Sequence, residues 1–463
     1  MTLLKAGQPG LDERLPQLEA ALDAELMRAA LQQRLCDAVH LHGRYNIEAM
    51  QLNQVRYKPQ RKCLISWRLV IADPLRGEPS EQFVSTQIFP AGESRSRYLK
   101  ACAEPVLPVG CGRPLLHLPE LEMIVRVFPN DRKLRHLALL NDAEALKKSV
   151  VPPLTISSVG RAMKLDRLRH RLVHYVPEHT CTVRLEAELC DDRTGATTPQ
   201  TWYGKTYDTD EGAVTWRQMQ RLWQRAARRD GRWLMAQPLL YQPENRTLWQ
   251  RGLPGAPLPA LQVSSRRFIS LLTRAAEAVA WLHQSSLPDL PTVTVTELNR
   301  RLDETARLIT HLRPDAAESP GRLVERLKGG AGKLQARPRS VLHGDLHWQN
   351  FLASGDQVAL IDLDNLCAGD ALQDVGSFIA GLYYRGLLEG IPTRMTRLIA
   401  DEFVQAYRAA AGAEFPAADL AWHIAAALIY ERAARCVTRL KDGRLALIDD
   451  LLALAASFGT RPQ

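Results

Sequence analysis

Residues 56–90 align without gaps to residues 174–208 at a constant offset of 118, and this internal repeat constrains the fold more than any other feature. Tyr57, Pro59, Cys63, Asp73, Gly77 and Gln82 meet Tyr175, Pro177, Cys181, Asp191, Gly195 and Gln200. A second block follows in the same order: Pro114-Leu-Leu-His-Leu-Pro-Glu120 matches Pro238-Leu-Leu-Tyr-Gln-Pro-Glu244 at an offset of 124. The first copy reads as strands. Gln54–Tyr57 and Leu64–Ile71 flank a turn at Lys58–Lys62, Phe83–Phe89 alternates, and Met123–Phe128 completes a second hairpin with Pro114–Leu116. A chain that spells a small antiparallel sheet twice is expected to build it twice. The copies differ at one position of chemical weight, where Gln87 of the first stands against Lys205 of the second.

The rest of the chain is expected to be mostly helical. Leu11, Leu15, Leu18, Leu22 and Leu26 recur at helical spacing within 11–42. Residues 213–229 read as a helix without a single acid. Beyond a hinge near Trp249–Pro254, helices are predicted over 265–284, 295–312, 323–334, 372–388, 393–412, 417–438 and 442–457.

One stretch carries the chemistry: Val341-Leu-His-Gly-Asp-Leu-His-Trp-Gln-Asn350, then Phe351-Leu and Val358-Ala-Leu-Ile-Asp-Leu-Asp364. A polar loop is followed by two short apolar runs around the turn Ser354-Gly-Asp356, so Asp345, Asn350 and Asp362 converge, with Asp364 nearby. An Asp, an Asn five positions on and a later Asp at a strand end is the spacing of a kinase catalytic loop and its metal-binding residues. In such a loop the first Asp takes the proton of the attacking hydroxyl, while the Asn and the second Asp hold magnesium. The competing reading of His343-Gly-Asp-Leu-His347 is a zinc or iron site. It lacks a second His/Asp cluster to complete it. His343 reads as a structural loop residue; His347 and Trp348 either face an acceptor or support the loop. Asp370 and Asp374 read as braces for the helix that starts near Gln373.

The loop resembles the aminoglycoside phosphotransferase and choline kinase-like family, whose pattern is H-G-D-x-x-x-x-N followed by I-D. The hairpin Tyr-x-Pro-x-x-x-Cys resembles that of maltokinase-like members, where it replaces a Gly-rich loop. The resemblance covers about residues 160–455 and is motif-grade over 341–376. It implies an α+β, bilobal protein-kinase-like fold with a small antiparallel-sheet N-lobe, a mostly helical C-lobe and, before them, a duplicated degenerate N-lobe-like cap. The expected domains are 1–150 for the cap, 151–255 for the nucleotide lobe and 256–463 for the catalytic lobe. It further implies a small-molecule kinase using ATP and Mg2+, with a sugar or aminoglycoside-like hydroxyl as acceptor. Asp345 would be the base, Asn350, Asp362 and Asp364 the metal residues, and Lys205 the ligand of the nucleotide phosphates.

Two departures stand out. The first copy is closer to the hairpin pattern, yet only the second has the lysine. The helix after Lys205 also lacks the Glu that kinases pair with it, leaving Glu211 or one of Gln218, Gln220 and Gln224 to orient it. A catalytically inactive kinase-like scaffold, with the cap engaging a protein partner, is the alternative reading.

Composition narrows the remainder. No apolar run reaches the ~18 residues of a membrane span, and the N-terminus lacks a signal-peptide core. Eight scattered cysteines without C-x-x-C read as cytoplasmic thiols. A net charge of +9 over 463 residues is modest, and the arginine-rich stretch 217–232 reads as a solvated helix face and not a nucleic-acid reader. Arg435 and Arg439 face either substrate or solvent, and solvent is the expectation.

Overall fold

The structure is a computed structural model that describes residues 12–36, 45–73, 77–110, 112–134, 136–226, 235–258, 266–316, 319–441 and 443–459. Residues 37–42 of the expected first helix and 227–232 of the arginine-rich stretch lie outside these. The architecture is α+β and of the kinase-like class, with antiparallel sheets followed by many helices. Two compact units are present: 1–210 with 242–247 and 438–443, and 211–241 with 248–437 and 444–463.

The first unit begins with helices α1 (Leu18–Leu22) and α2 (Ala24–Leu31). The leucine spacing predicts one continuous helix, but Asp23 interrupts it. Its backbone is extended, and its carboxylate accepts the N–H of Glu25 and Leu26 at 2.9 and 3.0 Å, so it ends one helix and caps the next. Strands β1 (Asn46–Lys58), β2 (Lys62–Ala72) and β3 (Ser80–Ile88) follow, then helix α3 (Ser94–Cys102) and strands β4 (Leu115–Leu118) and β5 (Met123–Val127). They form an antiparallel sheet of order β1-β2-β3-β5-β4. Three short helices that periodicity does not announce come next: α4 (Leu137–Asn141), α5 (Ala143–Ser149) and α6 (Val151–Val159).

The sheet then occurs a second time. Strands β6 (Lys164–Val176), β7 (Thr180–Cys190) and β8 (Thr197–Tyr207) precede helix α7 (Glu211–Ala226) and strands β9 (Pro238–Gln242) and β10 (Thr247–Arg251). Its order is β6-β7-β8-β10-β9, the same topology. Backbone irregularities recur with it. Gln60 and Glu178 at the hairpin tips have φ of 56° and 58°, Gly77 and Gly195 have 75° and 69°, and Glu122 and Arg246 have 44° and 51°. Left-handed residues are uncommon outside glycine, so the two non-glycine coincidences at the repeat offsets argue for duplication.

The correspondence reaches upstream of the sequence match. The Tyr57 hydroxyl donates to Asp12 Oδ2 at 2.7 Å, and the same oxygen accepts the Gln60 N–H at 2.5 Å. In the second copy the Tyr175 hydroxyl donates to Asp131 Oδ2 at 2.8 Å, and that oxygen accepts the Glu178 N–H at 2.9 Å. One carboxylate thus pins the tyrosine and the turn of each hairpin. The tip of the second hairpin is also tied to the first copy. Glu178, 8% exposed, accepts from Arg132 at 2.6 and 2.7 Å and lies 3.7 Å from Lys62 Nζ.

The second unit contains β11 (Ala256–Pro257), α8 (Arg266–His283), α9 (Val295–Leu312), α10 (Pro320–Ala331), β12 (Ser340–Leu342), β13 (Phe351–Ser354), β14 (Gln357–Leu360) and β15 (Cys367–Gly369). Helices α11 (Leu372–Glu389), α12 (Thr393–Ala411), α13 (Ala417–Ala427), α14 (Ala434–Arg439) and α15 (Ile448–Gly459) complete it, and a π-helical turn, Leu428–Ala433, joins α13 to α14. α11 packs on α12 and α13, and its Gly376 lies so close to α13 that a Cβ would meet the His423 backbone at 2.8 Å. β13 and β14 form the expected hairpin, with Phe351 opposite Leu360. Among the described residues no helix is long and apolar enough to cross a membrane.

Candidate active site

The loop after β12 is held from below by one buried carboxylate. Asp374, 2% exposed in the first turn of α11, accepts the backbone N–H of His343 at 2.6 Å and of Gly344 at 3.1 Å. His283 at the end of α8 adds its Nε2 at 3.2 Å, and its Nδ1 lies 2.8 Å from the Tyr407 hydroxyl. Burial pushes the Asp374 carboxyl up, but the hydrogen bond and charge of His283, together with His343, hold it below the usual carboxylate range. Gly344 is left-handed at φ 78°, and a Cβ there would stand 2.1 Å from the Asn365 carbonyl oxygen. Only glycine fits this turn.

Two contacts fasten the loop to the hairpin. The His343 ring Nε2 lies 3.0 Å from the Ile361 carbonyl oxygen, and Ile361 N–H donates to the Asn350 carbonyl at 2.9 Å. Asn350 and Asp362 therefore leave the backbone at the same end of the β13–β14 hairpin. Asn350 is 3% exposed, and its Oδ1 accepts the His347 N–H at 3.1 Å, with one lone pair remaining. Asp362 is exposed and has φ 64°, a left-handed conformation that costs a non-glycine residue about 1–3 kcal/mol. Asp370 caps α11 through the Leu372 N–H at 2.9 Å and pairs with Arg337, so its task is structural.

The other side of Asp345 is cationic. Arg435 Nη2 donates to Asp345 Oδ1 at 2.5 Å, so the expectation that Arg435 faces solvent is overturned. Arg432 lies in the π-helical turn before α14 and bonds to Ser377 on α11, while Arg435 in the first turn of α14 bonds to the loop. Arg432 is 2% exposed and donates to the Ser377 carbonyl at 2.8 Å, with Glu431 at 3.0 Å. His347 lies against Gly381 and within electrostatic reach of Arg432, Arg435 and Asp345. Burial lowers its pKa to about 4, so its ring is neutral at pH 7. Trp348 is buried, with the Arg385 guanidinium 4.3 Å from its ring centroid. Arg439 bonds instead to Gln54 at 3.0 Å within the first unit.

Lys205 belongs to the first unit. It is half-buried on β8 opposite Thr182, and its Nζ lies 5.9 Å from the Tyr207 ring centroid. Of the groups named to orient it, Gln218 is buried and donates its amide to the Pro288 carbonyl at 2.9 Å. Sequence reasoning names Arg435 and assigns it to solvent, whereas Arg432, three residues before it, is not singled out; the signal is there, because the two are spaced to share a helix face.

A kinase-like fold carrying a His-Gly-Asp loop joined to an Asp-bearing hairpin defines a phosphotransferase that acts on hydroxyl groups of small molecules. The model of the phosphotransferase enzyme family matches residues 193–421, and in this segment the chain is similar to that family. A comparison with curated proteins finds no match. Among solved structures, the chain is similar to a choline/ethanolamine kinase family protein from Mesorhizobium loti, with 15% identity over 63% of this chain and 89% of that one and a TM-score of 0.41. An aminoglycoside phosphotransferase from Streptomyces rimosus is 17% identical over 58% and 93%, at 0.39. A macrolide 2′-phosphotransferase from Brachybacterium faecium is 15% identical over 66% and 97%, at 0.40.

Proposed function

We propose that the protein is an ATP- and Mg2+-dependent kinase that phosphorylates a hydroxyl of a sugar-like acceptor. The observation that supports it best is the brace of Asp374, which fixes the backbone from which Asp345 projects while the hairpin brings Asn350 and Asp362 together. Asp345 receives the proton as the acceptor oxygen bonds to the γ-phosphorus and the bond to the ADP oxygen breaks. Asn350, Asp362 and Asp364 offer only oxygen donors, which suits a hard divalent cation. When bound, that cation neutralises charge on the transferring phosphoryl group. Lys205 is assigned to the nucleotide phosphates.

In this reading, 1–150 is the cap, 151–255 the nucleotide lobe and 256–463 the catalytic lobe. Gln87 leaves the cap without a phosphate-binding lysine, and docking of a protein partner fits a sheet kept without that residue. An aminoglycoside acceptor is disfavoured by the arginines beside Asp345, since cationic acceptors call for acids there.

The test is ADP formation with Mg2+ on a panel of sugars, aminoglycosides and amino alcohols, beside Asp345→Asn. Turnover that the substitution removes supports the kinase. The Arg435–Asp345 ion pair favours one competing reading, an inactive scaffold. Nucleotide binding without turnover on any acceptor would select it.

A further inference from the structure

Every charged group packed around the acceptor side of Asp345 on the π-helical turn and α14 is an arginine or is already engaged. Glu431 is occupied by Arg432 at 3.0 Å and by the Ser377 hydroxyl at 2.6 Å. Arg432 is fixed and buried, with its Nε unpartnered. Arg444 has no carboxylate partner among the described residues. Its Nη1 donates to the Tyr384 hydroxyl at 2.8 Å, and its guanidinium lies 5.6 Å from that ring's centroid. Tyr384 in turn is within electrostatic reach of Arg435.

Arg435 therefore rests on the very carboxylate that must take a proton. A charge-assisted bond of this kind occupies a lone pair of the oxygen it holds. A neutral acceptor offers nothing to draw the guanidinium away, whereas an anionic group exchanges one carboxylate partner for another. An arginine on a single carboxylate oxygen, with a carboxylate-free arginine on the neighbouring Tyr384, is also the chemistry that recognises carboxylates and phosphates.

We propose that the acceptor is a hydroxy compound bearing an anionic group, which binds Arg435 with Arg444 in support and frees Asp345 as it binds. This rests on the kinase reading for the role of Asp345, but the anion site itself does not. The acceptor's charge selects it, and its arrival switches the base on.

The experiment compares gluconate and glucose 6-phosphate with glucose, and glycerate with glycerol, at constant ionic strength. Thermal shift reads binding and ADP formation reads turnover, for the wild-type chain, Arg435→Gln, Arg435→Lys and Arg444→Gln. The expected result is a shift by at least one acid and none by its neutral counterpart. In turnover, Arg435→Gln lowers kcat/KM for that acid by roughly 10²-fold, leaves KM for ATP within about twofold, and is partly rescued by Arg435→Lys. Equal use of acid and neutral counterpart overturns the proposal. So does an Arg435→Gln defect that raises KM for ATP whatever the acceptor, which would give Arg435 to the nucleotide. An acid-dependent shift lost in Arg435→Gln, without turnover of any compound, sustains the anion site and sinks the kinase. Neither shift nor turnover with any acid overturns the inference.

Discussion

Asp374 accepts the backbone N–H of His343 at 2.6 Å, and this bond fixes where the candidate base stands. Asp345 is two residues further on, so its position is inherited from a carboxylate that touches no substrate in the proposed reaction. Asp374→Asn keeps the shape and puts an amide donor opposite the loop N–H groups. An unsatisfied buried partner costs about 1–3 kcal/mol, so kcat is expected to fall by roughly 10–100-fold. Nucleotide affinity should change little, and steady-state kinetics beside nucleotide titration separates the two.

Gly344 and Gly355 make a matched pair. Both are left-handed, at φ 78° and 57°, but a Cβ on Gly344 meets the Asn365 carbonyl at 2.1 Å and one on Gly355 meets nothing within 4 Å. Gly355→Ala is expected to cost about 1 kcal/mol and keep activity. Gly344→Ala should cost more than about 3 kcal/mol or abolish turnover, because the loop must shift. Denaturant unfolding of both variants reads the difference; equal costs would mean that the Asn365 carbonyl yields easily.

The duplicated sheets give a direct comparison between Gln87 and Lys205. Lys205→Ala is expected to raise KM for ATP and lower kcat, together roughly 10²–10³-fold in kcat/KM, while Gln87→Ala leaves both unchanged. Turnover that survives Lys205→Ala and is lost in Gln87→Ala would hand the nucleotide to the first repeat.

Glu178 links pH to the stability of the first unit. Burial pushes its carboxyl up, but the Arg132 hydrogen bond and the Lys62 charge overcome this, and its pKa lies below the ordinary value. The unfolded chain then binds the proton more readily. The stabilisation is complete above the unfolded carboxyl range, near pH 4–5, and is lost as pH falls below it. Glu178→Gln should destabilise the unit by about 1–3 kcal/mol at pH 7, discounted because Arg132 is 43% exposed, and by much less near pH 3. Melting curves across pH 3–8 test this; a cost independent of pH would show that the ion pairs do not contribute.

The parts of this fold that could be read in advance are those with short-range causes. Strand alternation, turn residues and the offset of 118 announce two hairpin sheets. The long helices α8, α9 and α12 carry amphipathic stripes, α11 is buried on nearly every side, and all four fall within a few residues of the expected bounds. Helices α4 to α6 were invisible because five to nine residues hold too few turns to show a period. Asp23 broke a predicted helix since capping is a local competition that leucine spacing does not register. In the site, Asp345, Asn350 and Asp362 were legible as a spaced motif. The direction of Arg435 was not, because it depends on the π-helical turn at Leu428–Ala433, which has no sequence period of its own.

Asp12 with Tyr57 and Asp131 with Tyr175 have a consequence for how this chain came to carry two sheets and one lysine. Each repeat contains its own lock, closing its hairpin with a carboxylate from upstream of the sheet, although Lys62 and Arg56 of the first copy also reach the second hairpin. A structure with self-contained joinery can shed a reactive group and still stand. The exchange between lysine and glutamine at the aligned position leaves both locks in place. The first repeat keeps the walls of the second with a different side chain at that one position.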